Sequence, residues 1–221
     1  MLRKLNRHDS QDAQRQRNLL ARRLKWAAGT DRLARNPETR KFSWGYKESF
    51  LYEVQENLMF DLKEVMQRMQ IGKNSGRAFR VLDLSCLEGN AIAEIARDFP
   101  NVEAHGLSLR REPAWKNHKN VFWHVGHAQK MPLKGNYFDF VFSHFGITHA
   151  PSLESALKEL HRILRNGGET AFVLEPTREN NVPHAIEQIA RQTGFEVTKH
   201  EYKRTSRSRA SKHVIHLRKI R

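Results

Sequence analysis

The chain holds a single cysteine, Cys86, among 221 residues. One thiol excludes an internal disulfide framework. Its isolation suits a reducing, intracellular compartment, first the cytoplasm with an organelle left open. Long apolar runs are missing too: none approaches the roughly 18 residues of a membrane span. The basic N-terminus lacks the apolar stretch of a secretory signal, and Asp9 and Asp12 stand against an organelle transit peptide. Metal-site spacings such as CxxC or HExxH are absent. Of the twelve histidines, His124 and His127 are the nearest pair to an expected ligand crevice, yet without those spacings no zinc site is expected.

Glycine is short at the one place where it would be looked for. Residues 81–90 read VLDLSCLEGN. Val81, Leu82 and Leu84 form a short apolar run, as in a strand buried on both faces. A tight turn follows, and then Ala91, Ile92, Ile95, Ala96 and Phe99 recur at helical spacing. In a strand, turn and helix of this kind, backbone N–H groups at the helix start can face a ligand's polar groups. Such turns are usually glycine-rich so that backbone can approach the ligand. Here only Gly89 remains.

Positive charge, by contrast, is abundant and unevenly placed. The net charge is +15. Residues 1–41 hold 12 Lys/Arg against 4 acids, a balance of +8, and residues 199–221 hold 9 against Glu201 alone, again +8. The stretch between carries 18 basic and 19 acidic residues. A near-neutral body with two basic ends suggests a polyanion partner, RNA or a ribonucleoprotein, gripped through phosphates. Solvated tails are the plainer alternative. Arg15, Arg17, Arg22 and Arg23 lie opposite Leu19, Leu20 and Leu24 on an expected amphipathic helix. Arg204, Arg207, Arg209 and Lys212 alternate with Ser and Thr in a basic turn, a pattern suited to phosphate contacts rather than base readout.

Three regions follow along the chain: a basic N-terminal extension (1–41), a helical cap and linker (42–78), and an α/β domain (79–221). From Phe50 to Met69 the apolar residues keep one helical period, which predicts a helix packed on the main domain. Phe42, Trp44 and Tyr46 just before it suit a pocket cover. From residue 79, strands FRVLDL, VEAHGL, VFWHVG, FDFVFSH and ETAFVLEP alternate with helices 89–98, LESALKELHRIL and HAIEQIARQTG. SLRREPAWKNHK is an irregular piece broken by Pro113. Gly167–Gly168 reads as the stop of the LESALKELHRIL helix. FEVTKHEYKR and KHVIHLRKI close as an antiparallel pair. The expected fold is α/β: a mainly parallel seven-stranded sheet with a C-terminal antiparallel hairpin, helices on both faces, an N-terminal helical extension, and a ligand crevice at the strand C-termini.

At this point the residues resemble a family. VLDLSCLEG, together with GHAQKMPLKGNYFDFVFSHFGITHAPSLESALKELHRILRNGGETAFVLEP, is similar to the class I S-adenosylmethionine-dependent methyltransferases of the small type 11 style, with a Rossmann-like fold. The resemblance implies S-adenosylmethionine as cofactor, with Asp83, Ser85, Leu87, Glu88, Gly89, Ser108, His127 and Ser143 at cofactor-contacting positions. Asp83 is the family's first-motif acid, while Ser85 and Leu87 stand where two glycines are usual. Ser108 stands where an acid usually accepts both ribose hydroxyls, and His127 where an Asp usually meets the adenine amino group. Glu88, Glu112 and His127 are the neighbours able to compensate.

Methyl transfer from a sulfonium needs aligned reactants in a dry pocket more than a catalytic triad. Cys86 sits in the first turn, away from the place of a nucleophile for pyrimidine carbon-5 methylation. SHFGITHAP lacks the Pro-Pro run of adenine amino-methylation, and Ser143 stands in place of the Asp of a ribose-methylating Lys-Asp-Lys-Glu set. Ser143 and His149 are the candidate catalytic residues where the fourth strand opens; a structural or surface histidine is the alternative for His149. The leading expectation is a methyltransferase acting on RNA or an RNA-bound substrate. A catalytically inactive RNA-binding or assembly protein and a small-molecule methyltransferase are the alternatives.

Overall fold

The structure, a computed structural model, describes residues 49–69, 77–144, 146–174, 182–204 and 211–220. Glu48–Arg221 forms one compact unit. Among the described residues no helix is long and apolar enough to cross a membrane. The expected aromatic cover at Phe42, Trp44 and Tyr46 lies outside the described residues, as do Arg15, Arg17, Arg22, Arg23, Arg207 and Arg209 and the side chain of Arg204.

The elements are α1 (Phe50–Leu58), α2 (Leu62–Arg68), β1 (Phe79–Leu84), α3 (Asn90–Asp98), β2 (Val102–Ser108), a 3₁₀ turn (Pro113–Asn117), β3 (Val121–Val125), β4 (Phe138–Ser143), a second 3₁₀ turn (Gly146–His149), α4 (Leu153–Ile163), β5 (Leu164–Leu174), α5 (Val182–Gln192), β6 (Phe195–Arg204) and β7 (Ser211–Lys219). Seven strands make one sheet in the order β3-β2-β1-β4-β5-β7-β6. The neighbours from β3 to β5 pair in parallel, and β7 runs antiparallel to both β5 and β6. Strand order reverses between β1 and β4, which opens a crevice at their C-terminal ends.

Alternation along the strands sends side chains to two apolar layers. Leu82, Leu107, Val141, Phe172 and Ile215 pack beneath α4 and α5. Val81, Ala104, Phe140, Phe142 and Val214 meet α1, α2 and α3. Both layers are closed to water at their centres, as the strands' near-continuous apolar runs require.

Two helix ends differ from the sequence expectation, each for a local reason. The single helix expected from Phe50 to Met69 is broken at Met59, which adopts the left-handed conformation at φ 56°. The Asp61 carboxylate then caps a new helix, accepting from Lys63 N at 2.7 Å and Glu64 N at 3.1 Å. Gly167–Gly168, expected to stop α4, lie inside β5 instead. The last carbonyls of α4 need no glycine cap: Lys219 Nζ donates to His161 O at 2.8 Å and Leu164 O at 2.9 Å, while Asn136 N and Tyr137 N take Arg162 O and Ile163 O.

A polar anchor holds the foot of the sheet. Asp139 is fully buried and accepts from Arg77 Nη2 at 2.6 Å, Arg77 Nη1 at 3.0 Å and Arg80 N at 2.8 Å, with Arg165 paired beside them. It lies at the opposite end of β4 from the crevice.

Candidate functional site

The turn between β1 and α3 keeps the backbone of a glycine-rich loop without most of its glycines. Ser85 has φ 73°, Leu87 φ 49° and Gly89 φ 81°, all left-handed. For the two non-glycines this conformation carries strain of about 1–2 kcal/mol each. Hydrogen bonds hold the turn in place: Ser85 N and Cys86 N both donate to Leu107 O, and Gly89 N donates to Cys86 O at 2.8 Å.

The surroundings explain which glycine survived. A Cβ on Gly89 would run into the indole of Trp123, and so would one on Gly106. Trp123 in turn stacks on Trp115, with centroids 4.7 Å apart and planes within 8°. The Trp115 indole N–H donates to Leu87 O at 2.8 Å, pinning the 3₁₀ turn onto the loop. Ser85 is accommodated from the other side, because its side chain occupies the space a Cβ at Gly146 would take. These partners escaped the sequence reading. The two tryptophans carried no periodic signal, and Gly146 gave only a hint as a glycine just after β4.

Leu87 is 66 % exposed, so its side chain gives little burial in return for its backbone strain. Leu87→Gly is expected to stabilise the fold by about 0.5–1 kcal/mol, the relieved strain less glycine's entropy. Thermal denaturation should show a rise of roughly 2 °C.

The charged and polar groups at the strand ends divide into free and engaged ones. Asp83 is buried, and desolvation pushes its carboxyl up to about 8. Ser108 is buried at the end of β2, and its carbonyl accepts from Gly126 N. Leu109, beside Ser108, and Val125, at the end of β3, are exposed apolar side chains. Glu88 and His127 are exposed; His127 sits in a short turn whose carbonyl accepts from Lys130 N at 2.9 Å.

Ser143 is otherwise employed. Its hydroxyl donates to Leu84 O at 2.8 Å and accepts from Ile147 N at 3.1 Å, which makes it a tie between β1, β4 and the following 3₁₀ turn. His149 is exposed on that turn. Its neighbour His144 is half-buried, and burial, reinforced by the charge of Lys212, pushes its imidazole down to about 4. Lys212, read in the sequence as a phosphate contact, donates to Asn57 Oδ1 at 2.6 Å and ties β7 to α1. His124 pairs with His105 at 2.9 Å rather than with His127, and His105 in turn meets Glu103 at 2.9 Å. Burial lowers both imidazoles of this pair. Among the described residues no His/Cys/Asp/Glu group is arranged to hold a metal ion.

Comparisons with known proteins agree with this geometry. Residues 82–172 match the family described as "Methyltransferase domain". Demethylmenaquinone methyltransferase of Chlorobaculum parvum is 32% identical over 105 residues, covering 46% of this chain and 43% of that protein. The Staphylococcus carnosus protein of the same name is 32% identical over 128 residues, covering 55% and 51%. The chain thus spans about half the length of the curated relatives it matches. Among solved structures, the [4+2]-cyclase SpnF superposes with a TM-score of 0.58 at 15% identity, covering 79% of this chain and 83% of that one. Phosphoethanolamine N-methyltransferase 2 of Haemonchus contortus, in complex with S-adenosylhomocysteine, gives 0.56 at 16%, covering 77% and 57%. At those identities the likeness establishes the fold, and a cyclase among the neighbours shows that the fold alone does not fix the chemistry. Residues 82–172 thus match the methyltransferase-domain family, on a Rossmann-like methyltransferase fold with its crevice at the strand ends.

Proposed function

We propose that the chain binds S-adenosylmethionine at the ends of β1, β2 and β4 and transfers its methyl group to RNA or an RNA-bound substrate. The observation that carries the cofactor reading is the loop itself: Ser85 and Leu87 keep the left-handed backbone although neither is a glycine. Strain held by its surroundings in a crevice argues for a retained purpose.

The residues present fit an adenosyl sulfonium in charge and shape. Asp83 is a buried carboxyl whose ionised form the cofactor's ammonium end would favour. Leu109 and Val125 offer apolar faces to a flat ring. His144, uncharged at neutral pH, spares a cationic ligand a repelling neighbour. When bound, the cofactor supplies an electrophilic methyl group. What the chain must add is alignment and exclusion of water.

The RNA acceptor is supported by the two basic ends, each with a balance of +8 around a near-neutral body. A small-molecule acceptor is the second reading, favoured by the demethylmenaquinone methyltransferases among the relatives. Calorimetric titration with S-adenosylmethionine and S-adenosylhomocysteine tests the cofactor. Micromolar binding is expected, and silence at millimolar ligand leaves an inactive binding protein. RNA affinity that falls steeply with salt and drops on deleting residues 1–41 supports the acceptor class, whereas salt-insensitive binding removes it.

A further inference from the structure

A ribose held away from water presents two adjacent hydroxyls, each needing an acceptor. A carboxylate serves both at once with its two oxygens, which a serine hydroxyl cannot do. At the end of β2 the structure has only Ser108. The segment after it, however, folds back over the cofactor loop and brings a carboxylate with it.

Glu112 precedes Pro113, and a residue before proline is confined to extended backbone. It sits at φ −99°, ψ 140°, where its carbonyl accepts from Trp115 N at 3.2 Å. Trp115 is pinned to Leu87 O, so the 112–115 turn is fastened directly to the loop. The Glu112 side chain is 14% exposed, and Arg110 Nε donates to its Oε1 at 3.0 Å. Among the described residues no donor takes Oε2. The thiol of Cys86, inside the loop, is pushed up by burial, with the charges of Asp83 and then Glu112 adding to it. Glu88, the other nearby acid, is exposed.

Resting on the cofactor reading above, we propose that Glu112 anchors the ribose of the adenosyl group, in place of the carboxylate that β2 lacks at Ser108. Arg110 and Pro113 set its direction, and Trp115 sets its distance from the loop. Asp83 is left to the cationic end of the same ligand.

The test uses the full chain and two probes, S-adenosylhomocysteine and its 2′,3′-dideoxy analogue, titrated calorimetrically. Glu112→Gln is expected to weaken S-adenosylhomocysteine ten- to hundredfold, the scale of one charge-assisted hydrogen-bond pair. The dideoxy analogue should lose less than about twofold by the same standard. Ser108→Asp placed in the Glu112→Gln background should restore most of the affinity, a recovery that a merely structural Glu112 would not permit. Equal losses for both probes, no loss at all, or no recovery with Ser108→Asp overturns the assignment of Glu112. Should the unaltered protein bind neither probe, the cofactor reading fails with it, and the two failures are told apart.

Discussion

At pH 8.5, Asp83→Asn is expected to melt on the order of 10 °C above the unaltered protein while binding S-adenosylmethionine at least about tenfold more weakly. Asp83 is buried, and desolvation raises its carboxyl from 3.8 to about 8. The folded state therefore holds a proton that the unfolded chain releases near pH 4. This contribution to stability is complete below pH 4, is lost as pH climbs through about 8, and levels off above. Asparagine has no proton to lose, so the advantage of the variant is near zero at pH 4 and grows toward pH 8. Ligand binding runs the other way. A cationic ammonium favours the ionised carboxylate, so affinity of the unaltered protein should rise about tenfold per pH unit between 6 and 8. Melting curves and titrations across that range check both slopes. A flat profile for the unaltered protein would show that Asp83 ionises without strain and has no special claim on the ligand.

The second large effect belongs to the other end of the sheet. Asp139→Ala should destabilise the protein by roughly 2–3 kcal/mol, because two part-exposed guanidinium groups, Arg77 and Arg165, then lose the buried carboxylate that both pair with. The Arg80 backbone N–H loses its acceptor as well. Urea titration reads the loss. Affinity for S-adenosylmethionine in the folded fraction should stay within about twofold, since Asp139 sits at the foot of β4 and the crevice at its head. A parallel loss of binding would mean that the two ends of β4 are coupled.

The fold was legible because its signals are local and repetitive. Apolar runs such as Val81–Leu84 and Phe138–Phe142 announce doubly covered strands, and Ala156, Leu157, Leu160 and Ile163 announce the face of α4. Breaks were harder, since Met59 and the end of α4 are decided by a capping carboxylate and by a lysine 55 residues from the carbonyl it caps. The crevice was half-legible. Asp83 and the turn could be placed from their order along the chain, and the missing β2 acid was visible as Ser108. Compensation was not visible, because the Trp115 bond to Leu87 O spans 28 residues. That Ser143 bonds to Leu84 and Lys212 to Asn57 is likewise decided by contacts distant in sequence. Residue type announced the polar groups; only their partners revealed which were already taken.

The fit of Ser85 against Gly146 also constrains the history of the loop. A side chain at 146 and a side chain at 85 claim the same volume. Starting from glycine at 85 and a larger residue at 146, serine could not enter first without a collision. From such a start, reduction at 146 would have to come first, opening a small void for the serine to fill. Reversal has the same gate: restoring a bulky residue at 146 is barred until 85 has returned to glycine. The two positions therefore form a ratchet, and relatives with serine at the first position of this turn should carry glycine after their fourth strand.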